Sequence, residues 1–338
     1  MNNAGLLVIY ITMKITRLIS AAIVGFIICA VAHAQDPMTK LRPDETVLLY
    51  CDVFENTPDP IYAKKITSAG YEMGEDNKVT ALESISKGGD LSDISKMARI
   101  DLYFPKKPNG QMVVVCPGGG YRYAASFREG LHVAEWMLER GITVAVLKYR
   151  IPNGHCKVPL TDVHNSFRYC RQHAQEWGVN QIGIIGFSAG GHLAASGSTL
   201  WVDEVTRPDF SILVYPVITM EIGVTHKGTR ERLITESAVW KHDVSDWYSL
   251  ENQVTRFTPP TFLALCSDDK VVPAENSLMY YNALIDNKVA AELHIWPDGG
   301  HGWGFASDKY YGKGTDKFSE YRAEFEVSLE RWLKKVKK

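Results

Sequence analysis

A surplus of either charge is missing from this sequence: 37 Lys and Arg stand against 39 Asp and Glu, a formal net charge of -2. Outside the short tail Lys334 to Lys338 no Lys/Arg run is interleaved with aromatics, which argues against a nucleic-acid partner. Cysteine is sparse and unpatterned. Cys51, Cys116, Cys156, Cys170 and Cys266 lie beyond residue 34 without CxxC spacing, so neither a disulfide framework nor a zinc cluster is indicated. Cys116 and Cys266 sit in apolar runs and read as buried hydrophobes. The ten histidines form no HxxxH or HxH pair, and neither a metal nor a cofactor is expected. The N-terminal apolar stretch, Leu18 to Val31, is about 14 residues, short of the roughly 20 that cross a bilayer as a helix. Internal repeats and low-complexity tracts are also missing.

What is present is an ordinary globular balance, 45% hydrophobic and 22% charged residues over 338 positions, enough for one sizeable core. Lys14 and Arg17, the apolar stretch, and then Ala32-His33-Ala34 before "QDP" form the charged region, hydrophobic region and small-x-small site of an export signal over residues 1–34. That pattern predicts a periplasmic or secreted protein without stable membrane insertion. Ile28 before Cys29 does not suit a lipoprotein cleavage site, and Met13 is a second possible start.

Residues 35–98 are polar and turn-rich ("NTPDP", "SKGGD") and read as an N-terminal extension of irregular structure and edge strands packed on a catalytic domain over 99–338. From residue 99 short apolar runs alternate with helical spacing. "RIDLYF" alternates like a half-exposed strand, and "MVVVC", "ITVAVLKY", "IGIIGF", "FSILVYPV", "TFLALC" and "AELHIW" follow as strands. Between and after them lie helical stretches over 125–141, 159–178, from 189, over 274–287 and over 316–336. Buried strands alternating with helices predict an α/β protein with a mostly parallel, doubly covered sheet. The connection 219–260 exceeds a plain loop and suits an insertion or lid.

Chemistry in such a sheet collects at the carboxyl ends of the strands. There Gly186-Phe187-Ser188-Ala189-Gly190 makes a G-x-S-x-G sequence, whose small neighbours permit the sharp strand-to-helix turn that exposes a nucleophilic hydroxyl. A serine needs a base and an orienting carboxylate, in the order Ser, acid, His for this fold. Asp269 follows strand "TFLALC" and His301 follows strand "AELHIW"; Asp268 is the alternative acid. His294 inside its strand and His192 on the helix read as structural, and Asp298 and Glu275 as surface or cap residues. The glycines of "CPGGGYRY" and the N–H of Ala189 would supply oxyanion donors. Among nearby aromatics (Tyr121, Tyr123, Trp303, and Trp240, His242, Trp247 and Tyr248 of the insertion), Tyr121 and Trp303 flank the catalytic loops and are the expected substrate contacts.

The motifs "CPGGGY", "VLKYR", "GFSAGGHLAAS", "YPVITM", "TPPTFLALCSDDKVVPAENS" and "ELHIWPDGGHGWG" resemble the α/β-hydrolases of the esterase/lipase branch, and within it the acetyl-xylan-esterase-like carbohydrate esterases, across roughly residues 99–335. The resemblance implies Ser188 as nucleophile, Asp269 as acid partner, His301 as base, and Gly119, Gly120 and Ala189 as oxyanion donors. Pro117 stands where many lipases carry the histidine of HGGG, which suggests the carbohydrate-esterase side. The implied substrate is a small-molecule or oligosaccharide ester, acetate on a fragment such as xylan first and a feruloyl ester second. A prolyl-oligopeptidase-like peptidase is weakened by the short region before the hydrolase core, and a non-catalytic carbohydrate-binding relative would not need a strained elbow.

Overall fold

The structure is a computed structural model that describes residues 41, 43–49, 84–85, 91–92, 98–234, 241–305 and 314–338. The expected export signal, Cys51, Trp240 and the side chain of His242 lie outside the described residues.

Strands are β1 (Glu45–Leu48), β2 (Ser84–Ile85), β3 (Leu91–Ser92), β4 (Arg99–Tyr103), β5 (Gln111–Cys116), β6 (Tyr123–Ala124), β7 (Thr143–Lys148), β8 (Gln181–Phe187), β9 (Ser211–Val214), β10 (Thr261–Cys266) and β11 (Ala291–Trp296). Helices are α1 (His132–Leu138, entered through a π-helical turn at Phe127–Leu131), α2 (Lys157–His173), α3 (Ser188–Thr199), α4 (Lys227–Leu233), α5 (Lys241–Trp247), α6 (Glu275–Asp286) and α7 (Arg322–Val336). The main sheet has eight strands in the order β1-β4-β7-β5-β8-β9-β10-β11, and β2, β3 and β6 form a small second sheet. β4 pairs antiparallel with β1 and β7, while from β7 to β11 every neighbour is parallel. This is the α/β-hydrolase arrangement.

β-branched runs produce the central strands because both faces are covered. Along β5, Met112, Val114 and Cys116 pack into one apolar cluster and Val113 and Val115 into the other. Each such fully buried aliphatic side chain contributes about 1.5–3 kcal/mol. β4 departs from its sequence pattern, since all five of its residues are buried rather than every second one. Asp101 on its polar face accepts from Thr46 Oγ1 at 2.9 Å and pairs with Lys148 Nζ at 3.4 Å. Neighbouring strands thus neutralise the charge that would otherwise keep that face wet. The N-terminal region enters the same sheet through β1, whose Val47 opposes Ile100.

Two buried polar links tie helices to the segments packed against them. Asp162 of α2 receives the backbone N–H and guanidinium of Arg150, with Arg150 Nη2 to Oδ1 at 2.6 Å, and neither side chain is exposed. His192 of α3 is fully buried with Nδ1 3.0 Å from Tyr121 Oη and Nε2 2.9 Å from Tyr248 O. The carbonyl can only accept, so Nε2 carries the proton and the Tyr121 hydroxyl donates to Nδ1. Burial pushes the His192 pKa down from 6.5 to about 4. A histidine with a depressed folded pKa contributes stability that is complete above its unfolded value and is lost as pH falls from there toward the folded one. Imidazole nitrogen NMR should therefore find His192 neutral at pH 5; protonation near pH 6.5 would contradict the packing described.

Candidate active site

The site forms where β5, β8, β10 and β11 end. Phe187 closes β8 in extended conformation at φ -124° and ψ 132°, and Ser188 turns abruptly into the left-handed region at φ 53° to open α3. A non-glycine residue there is strained. The two flanking glycines permit the turn by allowing close approach. A Cβ on Gly186 would stand 2.1 Å from Gly190 O, and one on Gly190 would stand 2.1 Å from Cys116 O and 2.3 Å from Pro117 O. No larger residue fits between the helix start and the β5 loop.

Ser188 Oγ lies 2.8 Å from His301 Nε2, and His301 Nδ1 lies 2.6 Å from Asp269 Oδ2. The carboxylate can only accept, so the proton sits on Nδ1 and Nε2 is left to accept from the serine hydroxyl. The other oxygen of Asp269 accepts the N–H groups of Val271 and Val272 at 2.8 and 3.0 Å, which fixes the carboxylate plane. Asp268 does something different: its Oδ1 holds Gly300 N–H at 2.8 Å and anchors the loop that carries His301. The acid beside the histidine is Asp269. His294 packs in β11 with Nε2 2.9 Å from Glu292, and Asp298 accepts from Tyr321 Oη at 3.2 Å.

Gly119 and Gly120 take φ values of 126° and 61°, a path that only glycine follows easily. The N–H of Gly118 is committed to Glu129 Oε2 at 2.7 Å. No acceptor among the described residues takes the N–H of Gly119 or Gly120, and both glycines line the cavity beside Ser188. Ala189 follows the serine at the first turn of α3, where backbone donors have no helical acceptor.

Glu129 was not legible as a site residue, because in "SFREGLHVAEW" it reads as one more polar helix position. It is buried beneath the glycine loop, and its Oε1 accepts from Tyr215 Oη at 2.7 Å. Tyr215, itself at φ 37°, accepts Gly304 N–H at 2.7 Å, and its ring lies 4.8 Å from that of His301. One carboxylate and one phenol thus clamp the glycine loop, the end of β9 and the histidine loop together. Burial raises the Glu129 pKa, opposed by its bonds to Tyr215 and Gly118 and by the nearby His301.

Tyr121 and Trp303 do not reach the cavity. Tyr121 is 1% exposed and bonded to His192, while Trp303 is 4% exposed and stacks on Phe318 at 4.0 Å. Flanking a catalytic loop in sequence placed their backbones near the site, but their large apolar rings turn into the core. Among the described residues the cavity, about 630 Å³, takes Tyr123 as its aromatic together with Arg122, Arg128, His226 and Arg232. His226, Gly228 and Arg232 come from the 219–260 connection, which therefore forms one wall. Trp247 is exposed and Tyr248 buried.

Residues 100–209 match the family model described as BD-FAE. An acetylxylan esterase from Xylanibacter ruminicola is 36% identical over 73% of this chain and 50% of its own length, and endo-1,4-beta-xylanase B from Butyrivibrio fibrisolvens is 33% identical over 59% of this chain and 33% of its own. The chain thus spans half the first relative and a third of the second. The crystal structure of an acetyl ester-xyloside bifunctional hydrolase from Caldicellulosiruptor lactoaceticus superposes with a TM-score of 0.63 at 29% identity, covering 88% of this chain and 98% of that one. Fold and likeness together define an α/β-hydrolase. Within that class the chain resembles the acetylxylan esterase and the acetyl ester-xyloside hydrolase just described.

Removing the Tyr215 hydroxyl while keeping the ring strands the buried Glu129 Oε1 and Gly304 N–H. Tyr215→Phe should cost about 1–3 kcal/mol in urea denaturation. A loss below about 0.5 kcal/mol, the range of an ordinary surface change, would show that the clamp holds nothing.

Proposed function

We propose that this protein is an exported serine esterase that removes small acyl groups, acetate first, from plant-polysaccharide fragments such as acetylated xylan. The observation that carries the reading is the unbroken pair of hydrogen bonds from Ser188 Oγ through His301 to Asp269. The acetyl and xylan parts rest on what its relatives are named for, an acetylxylan esterase, a xylanase and an acetyl ester-xyloside hydrolase. Export rests on the charge, apolar run and small-residue pattern of residues 14–34.

In this reading His301 Nε2 takes the proton of Ser188 as its oxygen bonds to the ester carbonyl carbon. The carbonyl oxygen gains negative charge and is met by the N–H groups of Gly119, Gly120 and Ala189, each worth roughly 10²–10³ in rate. His301 then returns the proton to the departing sugar oxygen, leaving an acyl-serine and a free hydroxyl. Water repeats the sequence with the same base, releasing the acid and restoring Ser188. Asp269 holds the tautomer and stabilises the imidazolium throughout.

The reading is tested with a p-nitrophenyl ester series and acetylated xylan fragments, comparing the protein with single variants. Ser188→Ala should lose about 10⁴-fold or more of kcat, and Asp269→Asn roughly 10³- to 10⁴-fold. Asp268→Asn should fall far less, because it still offers Gly300 N–H an acceptor. Acetate should outrun longer chains and ferulate. Faster feruloyl release would replace acetate as the acyl group, and turnover that Ser188→Ala leaves intact would remove the esterase chemistry altogether.

A further inference from the structure

The cavity beside Ser188 carries more positive charge than ester hydrolysis needs. Arg122, Arg128 and Arg232 line it, and the single carboxylate among its described lining is Glu129. Both oxygens of Glu129 are already occupied, by Gly118 N–H and Tyr215 Oη. No ion pair among the described residues involves Arg122 or Arg232.

The guanidinium of Arg232 is held by carbonyl oxygens. Arg232 Nη1 donates to Gly120 O at 3.3 Å and to Gly228 O at 2.8 Å, so the guanidinium is fixed beside the oxyanion loop with its charge uncompensated by them. Arg122 is exposed on a turn whose N–H groups, from Arg122 and Tyr123, return to Gly119 O at 3.0 and 3.3 Å. That turn places it three residues beyond the oxyanion glycine with little backbone freedom. Arg128 Nη1 meets Gly302 O at 3.1 Å on the histidine loop.

His226 completes the wall. Its Nδ1 accepts from Thr229 N–H at 3.3 Å and lies 2.8 Å from Thr229 Oγ1, which leaves the proton on Nε2 and makes the ring a neutral donor. Burial, and then the positive fields of His301 and Arg232, push its pKa down. A wall for a neutral sugar offers flat aromatic faces, but here Tyr121 and Trp303 lie in the core, and among the described residues Tyr123 is the tyrosine or tryptophan that faces the space. Forked guanidinium donors match a carboxylate, bidentately and at short range.

We propose that Arg122 and Arg232 form a carboxylate-binding subsite, and that the ester presented to Ser188 belongs to an acidic oligosaccharide with a uronic acid beside the acylated sugar. The proposal rests on the esterase reading and narrows its substrate. Hydrogen bonds to a charged group exceed neutral ones in strength, and part of the attraction to a rim arginine is screened by salt.

The test measures kcat/KM for acetylated xylo-oligosaccharides with and without a glucuronic acid branch, alongside p-nitrophenyl acetate and p-nitrophenyl hemisuccinate. In the parent protein the branched-to-neutral ratio should be about tenfold, in keeping with one charge-assisted hydrogen bond at the weak, solvent-screened end of its range. It should shrink as salt is raised from 50 to about 500 mM, and approach one in Arg122→Gln/Arg232→Gln. Because the ratio is taken within each variant, a general loss of activity cancels. A parent ratio of one or less, or a ratio indifferent to salt and to both substitutions, overturns the subsite while p-nitrophenyl acetate turnover leaves the esterase standing. A charge preference confined to the hemisuccinate puts the carboxylate on the acyl side and overturns the assignment to the sugar. No turnover of p-nitrophenyl acetate by the parent overturns the esterase reading and the subsite with it.

Discussion

Ser188 sits at a backbone conformation that costs of order 1–3 kcal/mol for a residue with a side chain, and the surroundings of the site are arranged to hold it there. β8 delivers the chain in extended form, α3 begins at once, and Ser188 O is held by Val217 N–H at 3.0 Å. The close contacts of Gly186 and Gly190 leave the helix nowhere else to go. With the turn fixed, the hydroxyl emerges at the carboxyl edge of the sheet, the one place where the loops after β5, β10 and β11 can all reach it.

Those loops are brought to the serine by separate devices. Asp269 is oriented by two backbone N–H groups, and the histidine loop is pinned by Asp268 at Gly300 and by Tyr215 at Gly304. Glu129 joins the glycine loop to the same Tyr215. A polar network buried this deeply is worthwhile only when every member is paired, and its geometry couples the histidine loop and the glycine loop through one phenol. The 219–260 connection contributes a wall, and touches this frame through Arg232 at Gly120 O and through Tyr248 O at His192.

The parallel core was legible because its strands are short aliphatic runs ended by Gly, Pro or Asp, and because both faces of such a sheet are dry. The alternating "RIDLYF" misled for a physical reason: Asp101 and Lys148 neutralise each other across strands, and pairing between distant segments does not show in a local pattern. Ser188, Asp269 and His301 follow their strands directly, so their meeting could be read from spacing and strand order. The roles of Tyr121 and Trp303 could not, since backbone proximity says nothing of where an aromatic ring turns. Glu129 and Arg232 carry no local signal, as each is one charged residue in a helical stretch brought to the site by packing. Tyr123 of "GGGYRY" was the lining side chain the sequence did put within reach, while Arg122 beside it gave no signal of its own.

The account depends on Ser188 being an activated nucleophile rather than a buried helix cap. Its most direct test is reaction with a fluorophosphonate, followed by intact mass and peptide mapping of the protein and of His301→Ala. One adduct per chain on the peptide containing Ser188, formed quickly and lost in His301→Ala, is the result this geometry predicts. No adduct, or an adduct on another residue while Ser188 remains unmodified, would contradict it.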